Sequence, residues 1–207
     1  PLPEMRRPAV TGLQFWAVVR TLLENCRDVK EALSMLKDMP VAYNLNLIVL
    51  DREGRCALVE TLDGRMAVKA IDSDSGEQAL YATNHPVLEE LIPYEPKAFV
   101  HSIRRYDNIT AFLDRHKKGI TAGQLKDFFL TPYPEGLSCS YYSQFFGTTK
   151  TMVLDPVRGS LSLCWGGRPE NGWHDFNFSD PFPQETAAIE IHNQTADPSI
   201  FAYRSLV

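Results

Sequence analysis

No apolar run in this chain approaches the roughly 20 residues that a membrane-spanning helix needs, so a helical membrane protein is excluded. No secretory leader is visible in this sequence either: no basic stretch is followed by an apolar stretch and a small-residue cleavage site. Cysteine is sparse and scattered. Cys26, Cys56, Cys139 and Cys164 show no C-x-x-C spacing, which argues against a zinc site or a redox motif. Such thiols usually pack as small apolar groups, so reduced cysteines and a cytoplasmic setting are expected. The N-x-S/T triplets at Asn108, Asn177 and Asn193 would be sugar acceptors only in a secretory compartment. Positive charge is in deficit. The net charge of −5 argues against nucleic acid or an anionic membrane as the main partner. A phosphate loop is lacking too, because Gly166-Gly167-Arg168-Pro169 has no Gly-Lys-Ser/Thr step opening a helix. The chain begins Pro1-Leu2-Pro3 without an initiator methionine, and the expectation is that an upstream segment has been removed.

What is present is the composition of an ordinary globular chain, 207 residues long and 44% hydrophobic, enough for a real core. Pro1 to Pro8 reads as an extended connector. Phe15, Val18, Val19, Leu22, Leu23 and Cys26 recur at helical steps and predict one apolar helix face. A second helix should follow, with Asp28 as N-cap, Glu31 at its third position, and Val29, Ala32, Leu33 and Leu36 inward. Leu45 to Leu50, the turn Asp51-Arg52-Glu53-Gly54, and Cys56 to Val59 predict a hairpin, with a further strand at Met66 to Ile71. Their near-continuous apolar runs predict a sheet covered on both faces. Beyond Pro96 a helix carries His101, Arg104, Arg105, Phe112 and Leu113, and Thr121 caps another reaching Phe129. Thr148 to Leu154 and Leu161 to Trp165 predict a second hairpin. Ala187 to Ile191 is expected as a last strand; Phe201 to Val207 is either an edge strand or a tail.

The stretch Tyr81-Ala82-Thr83-Asn84-His85-Pro86 stands out. Proline lacks an N–H and pushes His85 toward extended geometry, so strand pairing should stop there. An Asn amide projected from a strand end could hold a developing negative charge; it could equally satisfy a turn, as Asn often does. Arg105 is open in the same way, because most helix arginines in an acidic protein are solvated. The aromatic patch Tyr141, Tyr142, Phe145 and Phe146 fits a core or a pocket wall.

The order of these pieces resembles a specific family. A Glu-Ala helix, a strand, Asp-x-x-Gly, and a strand reaching Val59-Glu60 are followed by Thr83-Asn84-His85-Pro86 and a Ser102-x-x-Arg105 helix. A Thr-x-Thr-Met-Val-x-Asp-Pro hairpin ending in Trp165-Gly-Gly-Arg-Pro169 completes the run. The chain is similar, over roughly residues 8–178, to the C-terminal two-thirds of the acyl-coenzyme A:6-aminopenicillanate acyltransferase-like family. That family is related to the choloylglycine hydrolases and penicillin V acylases among the N-terminal-nucleophile hydrolases. The resemblance implies an α+β fold, a four-layer αββα sandwich, incomplete here because the N-terminal part is missing. Residues 1–178 would be part of that one domain and 179–207 an extension.

The activity implied is cleavage or transfer at a linear amide C–N bond by an autoproteolytically freed N-terminal cysteine whose own α-amine is the base. Asn84 is then the oxyanion donor and Arg105 the charge beside the nucleophile, with Arg104 as fallback. Asn44, Tyr141 and Phe145 are the substrate-binding candidates, and no metal or cofactor is implied. This chain departs from the family in its cysteines, since none begins the chain; the nucleophile is expected on a missing N-terminal segment or companion chain. Expected partners are therefore a small amide or acyl substrate and that segment, with no nucleic acid or membrane and self-association left open. Two alternatives stay beside it: a non-catalytic binding or structural module on the same fold, and Pro1 as a catalytic base.

Overall fold

The computed structural model describes residues 9–181 and 188–207. The Pro1–Pro8 connector, the Pro1 base and Ala187 at the start of the last expected strand lie outside the described residues. The chain divides into two compact units, one running to Ser102 and rejoined by Tyr203–Val207, the other spanning Ile103–Ala202.

The first unit opens with helix α1 (Phe15–Asn25) and helix α2 (Val29–Asp38). Asp28 adopts extended backbone and accepts the Glu31 N–H at 2.8 Å, capping α2; such a cap is worth about 1 kcal/mol. Strands β1 (Leu45–Leu50), β2 (Cys56–Leu62) and β3 (Arg65–Ile71) form an antiparallel sheet in that order. The β1–β2 turn closes on Gly54 at φ +79°, a backbone region that favours glycine. Buried Asp51 fixes this turn, accepting the Glu53 and Arg55 N–H groups, and its other oxygen accepts Val29 N–H at the start of α2.

Register decides which face does what. Leu47 lies opposite Val59 and Val49 opposite Ala57, so these share one face. That face packs with Val18 and Leu22 of α1 and Val29, Ala32 and Leu36 of α2. Complete burial of a side chain such as Val18 contributes on the order of 1.5–3 kcal/mol. The opposite face carries Asn46, Glu60 and Ala67 in a row across the three strands. There Leu62 and Ala67 meet Leu88 and Leu91. Strand β4 (Lys97–Phe99) leads directly into α3 (Val100–Arg115).

In the second unit Phe112 of α3 stacks on Phe128 of α4 (Ala122–Leu130), with ring centroids 4.2 Å apart. Thr121 and Gln124 form the full reciprocal capping box of α4. The short strands β5 (Ser140–Tyr141) and β6 (Phe146–Gly147) pair with each other. Then β7 (Lys150–Asp155), β8 (Ser160–Trp165) and β9 (His174–Asn177) make an antiparallel meander. Finally β10 (Tyr203–Ser205) pairs antiparallel with β4 in the first unit, with Tyr203 stacked on Phe99.

Among the described residues the class is α+β, built from four α-helices and several small antiparallel sheets. Four expectations need correction. The apolar face of α1 is narrower than the periodicity implied: Val18 and Leu22 are buried, while Phe15, Val19 and Leu23 are exposed, Leu23 by 79%. The sheet is not covered on both faces throughout. Only central β2 is enclosed along its length, whereas Ile48 and Leu50 on edge strand β1 are 47% and 49% exposed. The stretch before Pro86 is not the end of a strand: it has no ladder partner, and the carbonyl of Thr83 bonds to the Asn46 side chain instead. Residues 188–191 have no regular structure, while the unforeseen β9 completes the last sheet. For Phe201–Val207 the edge strand is what forms. Among the described residues no helix is long and apolar enough to cross a membrane.

Candidate active site

A cleft of about 270 Å³ opens in the first unit where the start of β1, the end of β2 and the Thr83–Pro86 loop converge. Its polar wall is Asn44, Asn46, Glu60, Thr61, Thr83, Asn84, His85 and Glu95, over a floor of Leu45, Leu62, Pro86 and Leu91.

The loop bearing Asn84 has no strand partner, so its backbone groups are held one at a time. Asn46, on the cleft face of β1, donates its side-chain amide to the carbonyls of both Thr83 (2.9 Å) and His85 (2.7 Å). It thereby bridges the residue between them. The Asn84 N–H donates to Ser102 Oγ at 2.8 Å. Glu60 holds the other side of Pro86, accepting the Val87 and Leu88 N–H groups at 2.8 and 2.9 Å. Burial pushes the Glu60 carboxyl pKa up, although these two N–H donors oppose it. With its main chain gripped on both sides, Asn84 presents an exposed side chain on the cleft wall.

Ser102 and His85 superficially form a nucleophile–base pair, with Oγ and Nδ1 2.8 Å apart. However, Ser102 has 0% exposure, so no substrate reaches it. Its hydroxyl also lies 3.1 Å from Thr83 Oγ1, which donates to the Ser102 carbonyl at 3.0 Å. One proton arrangement accommodates the contacts among Thr83, His85 and Ser102. His85 carries its proton on Nδ1 and donates to Ser102 Oγ; Oγ also accepts the Asn84 N–H and donates to Thr83; Thr83 donates to the carbonyl. The cluster is a staple that positions Asn84. Asn44 is fixed similarly. Thr61 Oγ1 accepts the Leu45 N–H and donates to the Tyr43 carbonyl, and Asn44 Nδ2 donates to Glu95 at 2.6 Å.

Of the residues expected at a site, the cleft unites Asn44 and Asn84. Arg105, Tyr141 and Phe145 belong to the second unit. There the Arg105 guanidinium lies 5.9 Å from the Phe146 ring centroid, and burial lowers its pKa against the electrostatic influence of Cys139 and Tyr133. Tyr141 is buried in a small core with Cys139, Ala196 and Ile200. Phe145 sits at φ +56° and is 91% exposed. Arg104 donates to the Pro134 carbonyl.

The family model of acyl-coenzyme A:6-aminopenicillanic acid acyl-transferase matches residues 3–170. The chain belongs to this family. No curated protein and no solved structure gives a significant match.

The chain carries four thiols, Cys26, Cys56, Cys139 and Cys164. All four are free, and burial raises the pKa of each. Cys139 and Cys164 are buried, and Cys164 donates to the Arg168 carbonyl at 3.0 Å. Burial thus disfavours the thiolate at each of them. Among the described residues no group of His, Cys, Asp or Glu side chains could hold a metal ion.

Asn46, Glu60 and Glu95 on the cleft wall, and buried Ser102 behind the Asn84 loop, were not singled out from sequence as functional. Glu60 and Ser102 appear there only as marks of the family pattern. Asn46 had a usable signal, being the single polar residue inside the apolar run Leu45–Leu50.

Proposed function

We propose that this chain supplies the oxyanion-binding part of a cysteine N-terminal-nucleophile amidohydrolase or acyltransferase acting on linear amides of small molecules. The observation that carries the reading is the clamp on Asn84. Its backbone is tied to Asn46 through the flanking carbonyls and to Ser102 through its own N–H, while its amide stands on the wall of a cleft. A donor held this way pays little reorganisation cost when charge develops, which is what oxyanion stabilisation requires.

In this mechanism a cysteine outside the present sequence passes its thiol proton to its own α-amine and attacks the amide carbon. The carbonyl oxygen becomes an oxyanion and accepts a hydrogen bond from Asn84 Nδ2. Collapse breaks the C–N bond; the amine leaves with the proton returned by the ammonium, and a thioester remains. Water then releases the acid, or a second amine takes the acyl group. The four raised thiol pKa values support an external nucleophile, and with it inactivity of this chain in isolation. The αββα sandwich and a cytoplasmic setting belong to the same proposal, the second in keeping with four free thiols.

The test is Asn84→Ala in the processed enzyme. Loss of one oxyanion donor should lower kcat about 10²–10³-fold with little change in KM. Unchanged turnover in a folded variant refutes the role. A second reading, a non-catalytic binding module, draws on the same quiet thiols. It would lead if the native protein, sequenced from its N-termini, yielded no chain beginning with Cys.

A further inference from the structure

Half of the Asn46 side chain is not used by the clamp. Its two contacts, to the Thr83 carbonyl at 2.9 Å and the His85 carbonyl at 2.7 Å, are both to acceptors. Only the amide nitrogen can donate to them, so the carbonyls take both Nδ2 protons and fix which end of the amide is the oxygen. Oδ1 keeps its lone pairs. Among the described residues no group donates to it, and no buried side-chain oxygen is left without a partner, so Oδ1 is open to the cleft that Asn46 lines. Its polar neighbours on that wall are committed elsewhere. Thr61 Oγ1 accepts the Leu45 N–H and donates to the Tyr43 carbonyl, while Glu60 accepts the Val87 and Leu88 N–H groups. The two bonds that hold the loop also orient this oxygen, which makes it a fixed acceptor that a ligand N–H would complete.

We propose that Asn46 is a specificity residue as well as the clamp on Asn84, its Oδ1 accepting the N–H of the substrate amide. This rests on the amide-cleaving reading for what the ligand is. It adds the substrate class: amides of ammonia or of primary amines, which keep an N–H, are accepted. Amides of secondary amines and esters are disfavoured, because they leave Oδ1 without a donor.

The experiment is an equilibrium titration of the protein with N-propylbutanamide, propyl butanoate and N-methyl-N-propylbutanamide. Binding is followed through the ¹H–¹⁵N signals of the Asn44, Asn46 and Asn84 side-chain amides. The ester has the shape of the first amide with oxygen in place of the N–H. Being less polar, it would bind better if apolar contact with Leu45, Leu62 and Leu91 decided the matter. The first amide should instead bind about five- to tenfold more tightly than either of the others, the scale of one neutral hydrogen bond whose loss leaves its acceptor bare. Asn46→Ala should abolish that preference, and the same spectrum reports whether the variant is folded. Equal binding of the first amide and the ester to the wild type overturns the proposal. So does failure of the first amide to bind, equally tight binding of the N-methylated amide, or a preference that survives Asn46→Ala. The wild-type series decides even if the variant misfolds. No N–H preference together with an Asn84-dependent turnover would defeat the specificity role and leave the oxyanion role standing. A clear preference with Asn84-independent turnover would do the reverse.

Discussion

Ser102→Ala removes one oxygen and three contacts. In the wild type that oxygen accepts the Asn84 N–H at 2.8 Å, meets His85 Nδ1 at 2.8 Å, and donates to Thr83 Oγ1 at 3.1 Å. The site is closed to solvent, so water has no ready route to replace it. Two donors, the Asn84 N–H and the His85 ring N–H, lose this acceptor. Leaving a buried polar group unsatisfied costs about 1–3 kcal/mol, while the ring nitrogen keeps Thr83 within 3.1 Å and so loses less. The expected destabilisation is therefore about 2–4 kcal/mol. For a chain of this length each kcal/mol moves Tm by about 2–4 °C, which puts the drop at about 5–15 °C. Activity should fall as well, by about tenfold, because the donor is displaced rather than deleted. Calorimetric melting and urea titration read the first quantity; single-turnover kinetics in the processed enzyme read the second. A melting temperature within about 2 °C of wild type would refute the assignment of Ser102 as the staple. So would a ¹⁵N spectrum of His85 with the proton on Nε2, since the contacts among Thr83, His85 and Ser102 place it on Nδ1.

Other outcomes follow from the same geometry. Asn84→Ala should leave Tm within about 2 °C, because its side chain is exposed, and should cost more in kcat than Ser102→Ala does. Asn46→Ala deletes the bridge to the Thr83 and His85 carbonyls, and should lower both stability, by about 1–3 kcal/mol, and kcat. Burial raises the Glu60 pKa above its ordinary 4.5, so the folded state holds that proton more tightly than the unfolded one. Stability from this group is complete below its ordinary value and is lost as pH rises through the raised folded-state one. Glu60→Gln should remove that slope, and denaturant titrations giving parallel pH profiles for the two proteins would contradict it. Asp51 is the opposite case: burial pushes its pKa up, but the Arg55 guanidinium and the N–H groups of Val29, Glu53 and Arg55 outweigh it and hold it below 3.8. Asp51→Asn should cost about 1–3 kcal/mol at pH 7, with the gap closing as pH falls through the acid range; a constant gap would sink the assignment.

The fold was legible wherever local chemistry decides the outcome. Asp28 with Glu31, Thr121 with Gln124, and Gly54 after Asp51 each encode a boundary in a few adjacent residues, and the elements begin or turn where those residues stand. Legibility failed where the answer depends on how many neighbours an element finds. An apolar run such as Leu45–Leu50 reads the same at the centre of a broad sheet as at the edge of a narrow one. Here β1 is an edge, so Ile48 and Leu50 are half exposed. The same holds for Phe15, Val19 and Leu23, whose spacing matches a buried face but which lie beyond the stripe that meets the sheet.

The site divides along the same line. Asn84 was visible because Pro86 marks the loop and the order of motifs marks the family, but neither says what makes the loop rigid. That comes from residues 38 positions earlier and 18 later in the chain, Asn46 and Ser102, whose hydrogen bonds replace the missing strand ladder. A polar residue in an apolar run and a serine at a helix start are common, and each acquires meaning only when register and topology bring it to Asn84. The β1–β2 pairing sets Asn46 directly opposite Glu60, so a single cross-strand step places the bridge before Pro86 and the anchor after it. A one-residue slip would turn Asn46 and Glu60 into the helix-covered face, burying a carboxylate among Val18, Leu22 and Leu36 and releasing the loop. The register that builds the core and the register that holds the Asn84 donor are therefore one constraint, and selection on either maintains both.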